Sequence, residues 1–69
     1  MRISARNALQ GKVKSIKDGA VMTEVIVTLT GGQDVVAIIT KASSDSLGLS
    51  QGKDVYVVVK STDVMIMSD

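Results

Sequence analysis

Cysteine, histidine, tryptophan and phenylalanine are all absent from these 69 residues, and tyrosine occurs once. Without cysteine there is no disulfide and no thiolate site. Without histidine as well, a conventional zinc site is not expected. The single aromatic residue, Tyr56, lies inside an apolar run. That argues against a groove that stacks single-stranded bases on rings. No apolar run approaches the ~20 residues of a membrane span. Arg2 and Arg6 near the N-terminus are not followed by the apolar stretch of a signal peptide. A cytoplasmic protein is the expectation. Catalytic machinery is missing too. There is no histidine base, no cysteine nucleophile and no paired-carboxylate signature. Asp18, Glu24, Asp34, Asp45, Asp54 and Asp63 are dispersed and fall mostly at turns. Catalysis needs a nucleophile or base with a positioned partner, and the glycines form no phosphate-loop motif. No enzyme is expected.

What is present is a β-rich pattern in a chain sized for one domain, residues 1–69. A single core this small rarely supplies more than ~3–5 kcal/mol without a disulfide, a metal or oligomerisation. Oligomerisation is the remaining option. The runs Val35-Val36-Ala37-Ile38-Ile39, Val55-Tyr56-Val57-Val58-Val59 and Val64-Met65-Ile66-Met67 are apolar at every position. Successive strand residues point to opposite faces, so both faces of these strands need cover, most simply from a second copy.

Five strands and one helix are predicted. The first runs from Leu9 to Lys17. Leu9, Gly11 and Val13 share a face but Ile16 falls on the other, which predicts a bulge or bend near Lys14–Ser15. Asp18-Gly19 marks a turn. Val21, Thr23, Val25, Val27 and Leu29 then share a face of a long second strand. Gly31-Gly32 signals a hairpin into a third strand, Gln33–Ile39. Thr40 suits the N-cap of a short helix over Lys41–Leu47. Gly48 suits its left-handed end, with Leu49 folding back. A fourth strand over Lys53–Val59 and a fifth over Val64–Met67 complete an all-β chain. Three strands, a short helix and two more strands is the order of the OB-fold, a five-stranded Greek-key barrel.

Net charge is +1, but Arg2, Arg6, Lys12, Lys14 and Lys17 all precede the first acidic residue, Asp18. For Lys12, Lys14 and Lys17 a solvated strand is the better reading, with lysine discouraging edge pairing. Arg6 differs because it sits in Ser4-Ala5-Arg6-Asn7. That run and Lys60-Ser61-Thr62 each set a cation beside hydroxyl or amide donors at the edge of an apolar stretch. A tetrahedral dianion needs converging donors, which N–H groups, hydroxyls and cations supply without losing a proton. The turn at Gly19, Ala20 and Val21 adds N–H groups. Thr23 is better read as a β-former on a half-buried strand.

Ile3-Ser4-Ala5-Arg6-Asn7, Lys60-Ser61-Thr62-Asp63-Val64-Met65-Ile66 and the middle segment Asp18-Gly19-Ala20-Val21-Met22-Thr23-Glu24-Val25 together resemble the molbindins. These are small cytoplasmic molybdate-binding proteins of the transport-associated OB domain family. The resemblance implies an OB-fold and a homo-oligomer, a hexamer assembled from dimers. It implies oxyanion sites at subunit interfaces, built from Ser4, Ala5, Arg6, Lys60 and Ser61 with the segment around Ala20 and Thr23 from a neighbour. Asn7, Gly19, Val21 and Thr62 complete the candidate set. The ligand implied is molybdate, with tungstate as a near-isosteric competitor. No cofactor is implied, and molybdenum would be bound only as its oxyanion. The implied role is storage or buffering of molybdenum. The alternatives are an oligomerisation or partner-docking module with incidental anion binding, and nucleic-acid binding through the basic first quarter.

Overall fold

The architecture follows from one long strand that serves two neighbours. A computed structural model describes residues 3–69. Arg2, counted above in the basic first quarter, lies outside the described residues. The elements are β1 (Asn7–Asp18), β2 (Met22–Leu29), β3 (Asp34–Thr40), α1 (Lys41–Leu47) and β4 (Asp54–Val59), followed by a single 3-10 turn over Ser61–Asp63. All strands are antiparallel to their neighbours, in the order β3-β2-β1-β4. The first half of β1, Asn7 to Lys12, pairs with β4, its second part from Gly11 to Asp18 pairs with β2, and only Gly11 and Lys12 have partners on both sides.

The bulge lies where the change of face predicts it. Val13 pairs with Val27 and Ser15 with Ile26, leaving Lys14 as the extra residue. That insertion brings Val13 and Ile16 onto the same inner face, where Ile16 packs against the Val13, Val25 and Val27 core. The freed Lys14 side chain reaches Asp34 at 2.8 Å. The Lys14 ammonium and the Thr28 hydroxyl hold the Asp34 carboxyl below the usual carboxylate range. The helix caps also match. Thr40 accepts from the Ser43 N–H at 3.1 Å, and Gly48 is left-handed at φ 63°. Leu49 folds back, donating its N–H to the Ser44 carbonyl. No helix among the described residues is long and apolar enough to cross a membrane.

Gly11 is what lets β1 and β2 approach. A Cβ there would stand 2.6 Å from the Thr28 carbonyl oxygen and 2.8 Å from a Val27 methyl. Gly11→Ala is therefore expected to lower stability by about 1–3 kcal/mol, the usual scale of overpacking. Gly31→Ala, where a Cβ meets nothing within 4 Å, is the control in the same denaturant titration.

The five-stranded barrel requires a correction. Among the described residues four strands form, and Val64–Met67 is not one of them. A strand exists only where a neighbour supplies its hydrogen bonds. After the 3-10 turn this segment runs free of both sheet edges, leaving Met65 92% and Ile66 90% exposed. Among the described residues the sheet therefore stays open, with no fifth strand to join β3 to β4. The two edges, β3 and β4, are the strands that are apolar at every inner position. Their outer residues Val36, Ile38, Tyr56 and Val58 are exposed as well.

Candidate functional site

The terminal pair of the β1–β4 ladder is Asn7 with Val59. The residues before Asn7 and after Val59 therefore leave the sheet side by side. This brings Ser4, Ala5 and Arg6 to the same end of the sheet as Lys60, Ser61 and Thr62. Asn7 closes that end, its side-chain Nδ2 donating to the Val59 carbonyl at 3.3 Å. Its amide thus clasps the two runs together. Lys60 precedes the 3-10 turn with extended backbone, and its carbonyl accepts from the Asp63 N–H at 2.8 Å. Ala5 is half-buried, while Ser4, Arg6, Lys60, Ser61 and Thr62 are exposed.

The cations divide into engaged and free. Lys12 is 2.6 Å from Asp54, and Lys14 is 2.8 Å from Asp34. Lys53 donates to the Leu47 carbonyl at 2.6 Å. Arg6, Lys17, Lys41 and Lys60 have no ion pair among the described residues. The basic first quarter therefore does not form a continuous electropositive strip, whereas the paired motifs keep their charge available.

The Gly19–Val21 turn lies at the opposite end of β1. Twelve residues at ~3.3 Å each put the strand's two ends on the order of 30 Å apart. The described residues measure 36 Å in their longest direction. One chain therefore cannot bring the turn to Arg6 and Lys60. In the turn the Gly19 N–H donates to the Met22 carbonyl at 2.8 Å. The Ala20 and Val21 N–H groups have no backbone acceptor among the described residues. Thr23 is enclosed, with 0% exposure, and its hydroxyl donates to Asp18 Oδ1 at 2.9 Å. It supports the turn from within and presents nothing to solvent.

Two residues in this region lie outside the candidate site set read from the sequence. Asp18 is the partner that Thr23 holds. Lys41, read above as part of the helix alone, donates its backbone N–H to the Val21 carbonyl at 2.8 Å. That contact places a cation's backbone beside the turn. No local signal marks it, because the two residues meet only through β2–β3 pairing.

Two concavities among the described residues lie elsewhere. A groove of about 400 Å³ is lined by Gln10, Gly11, Lys12, Thr28, Thr30 and Asp54. Its cation is already spent on its carboxylate, which does not suit a dianion. An apolar hollow of about 230 Å³ opens between the inner residues of β3 and β4, including Ala37, Ile39, Val55 and Val57.

The sequence model of the TOBE domain matches residues 3–66. The chain is 47% identical over 68 residues to molybdenum-pterin-binding protein 3 of Clostridium pasteurianum, covering 99% of this chain and 100% of that protein. Among solved structures, MopII from Clostridium pasteurianum superposes with a TM-score of 0.91 at 46% identity, covering 97% of this chain and all of that one. A molybdate-binding protein from Sporomusa ovata superposes with a TM-score of 0.94 at 37% identity, covering 99% and 100%.

Proposed function

This chain belongs to the TOBE domain family, and from that premise we propose that it binds molybdate, with tungstate as a near-isosteric competitor, at sites shared between copies of itself. The carrying observation is the convergence of Ser4-Ala5-Arg6 with Lys60-Ser61-Thr62 at the Asn7–Val59 end of the sheet, with both cations unpaired among the described residues. One cation from each run, the hydroxyls of Ser4, Ser61 and Thr62, and nearby N–H groups form a donor set for a tetrahedral dianion. The Gly19–Val21 turn supplies the remaining donors from a neighbouring chain. Its distance from the first half, on the order of 30 Å along β1, supports a site shared between chains. Sulfate has the same charge and is smaller, so donors set for molybdate stand too far from it.

Assembly has its own support. The sheet is open between β3 and β4, an apolar hollow lies between them, and Val64–Met67 is an unpaired apolar run. In our reading that run from one chain adds as the fifth strand to a second chain and completes its barrel. The exposed outer residues of β3 and β4 serve further contacts in a larger homo-oligomer, a hexamer. The role that fits a small binding protein without catalytic groups is intracellular storage or buffering of the oxyanion in the cytoplasm.

Calorimetric titration with molybdate, tungstate, sulfate, hydrogen phosphate and a single-stranded oligonucleotide tests this. Molybdate and tungstate are expected to bind. Hydrogen phosphate is expected not to displace molybdate at equal concentration, because its proton would need an acceptor while the cations and N–H groups of the site can only donate. Displacement by phosphate overturns a site dominated by cations and N–H donors. Absence of molybdate binding by an intact oligomer favours the docking-module reading, and oligonucleotide binding favours the nucleic-acid one.

A further inference from the structure

Thr23 is a hydroxyl at a position where a hydrophobe would fit. Its side chain shares the inner face of β2 with Val25 and Val27, and it is the largest fully enclosed side chain besides Val13. Its one side-chain partner is Asp18 Oδ1, at 2.9 Å. Asp18 and Thr23 form the last cross-strand pair of β1 and β2, and the turn beyond them is already closed by the Gly19 N–H to Met22 carbonyl bond. The hairpin therefore does not need the side-chain bond for closure. What that bond fixes is the Asp18 carboxylate.

Left to itself, an aspartate at the start of a turn tends to accept from the N–H two residues on. For Asp18 that N–H belongs to Ala20, which has no backbone acceptor among the described residues. An untethered carboxylate would occupy the very donor that our reading of the site assigns to the oxyanion, and would add a negative charge beside it. The other charged residues nearby are Lys17 and Glu24, opposite one another in the next cross-strand pair, and Lys41, backbone-bonded to Val21. None of them has a side-chain ion pair with Asp18 among the described residues.

We propose that Thr23 is a positioning residue: by holding the Asp18 carboxylate it keeps the Ala20 and Val21 N–H groups open to the dianion. This rests on the oxyanion reading of the site. Two readouts separate its failure from the failure of that reading. The first is hydrogen exchange at the Ala20 amide in the anion-free oligomer. Exchange is expected to be slower in Thr23→Val than in the parent, and to return to the parent rate in Asp18→Ala/Thr23→Val. An unchanged rate in Thr23→Val overturns the proposal whether or not molybdate binds. The second is molybdate titration. Thr23→Val is expected to lose about tenfold or more in affinity, since a like charge about 4 Å away costs about fivefold in bulk water and about a thousandfold near a protein surface. Thr23→Ser and the double variant are expected to bind like the parent. A double variant as weak as Thr23→Val shows that Thr23 serves only packing, and overturns the proposal. Asp18→Ala alone keeps the test usable if Thr23→Val does not fold. Binding within about twofold of the parent is expected. A tenfold loss means that the carboxylate helps the site, and refutes the tether.

Discussion

Removal of residues 64–69 is expected to abolish assembly and to leave a chain without cooperative unfolding at micromolar concentration. Fully burying one Val, Ile or Met side chain is worth about 1.5–3 kcal/mol. Val64, Met65, Ile66 and Met67 together therefore account for on the order of 6–12 kcal/mol as an upper bound. The entire stability of an ordinary domain is about 5–15 kcal/mol. In the single chain little of that burial is realised, since Met65, Ile66 and Met67 are 90% or more exposed and Val64 is 46% exposed. It is gained only when the segment lies in another barrel. A point variant makes the same test with less disruption. Ile66→Asp would bury an unpaired carboxylate between β3 and β4, a cost of several kcal/mol. Ser68→Ala, beyond the apolar run, should change nothing. Light scattering with far-ultraviolet circular dichroism reads both. A truncated chain that remains folded as a monomer contradicts the exchanged strand. If the truncated chain stays oligomeric, the copies are held by the outer faces of β3 and β4 instead.

Lys60→Ala is expected to weaken molybdate binding by about tenfold to a hundredfold, since a charge-assisted contact is worth roughly 1.5–3 kcal/mol. Ser61→Ala removes a neutral donor, worth about 0.5–1.5 kcal/mol, so its effect should be smaller. Neither residue lies within an apolar strand run, and both variants should assemble. Lys12→Ala and Lys14→Ala are the controls. These cations already face Asp54 and Asp34 in exposed pairs, and such pairs contribute only about 0–1 kcal/mol to stability. Titration of all four variants, with oligomeric state checked, decides the matter. Parent-like binding by Lys60→Ala together with weakened binding by Lys12→Ala would move the site to the groove beside Asp54.

The features legible in the sequence are those decided within a few residues. The change of face between Val13 and Ile16 marks the bulge, because strand parity leaves no other way to bury both. Thr40 and Gly48 mark the helix ends, because each satisfies backbone groups within its own turn. The polar runs around Arg6 and Lys60 could be paired from their composition, and the Asn7–Val59 register brings them together. The fifth strand was legible as an apolar run but not as a member of this chain's own sheet, since periodicity says that a segment wants partners and not whose. The same limit hid the partner of Thr23. A threonine among valines reads as an ordinary β-former, and only the hairpin register brings its hydroxyl to Asp18. Asn7 donates one of its two amide N–H groups to the Val59 carbonyl, a contact that only the β1–β4 register reveals. Lys41 opens the helix as its sequence predicts, and its first-turn N–H is in addition bonded to the Val21 carbonyl of the turn.

Anomalous X-ray scattering at the molybdenum edge, from crystals of the oligomer grown with molybdate, tests the shared site most directly. The account predicts molybdenum peaks within hydrogen-bonding reach of Arg6 and Lys60 of one chain and of the Ala20 or Val21 N–H of another. A peak enclosed by a single chain, or seated in the groove between Lys12 and Asp54, would contradict it.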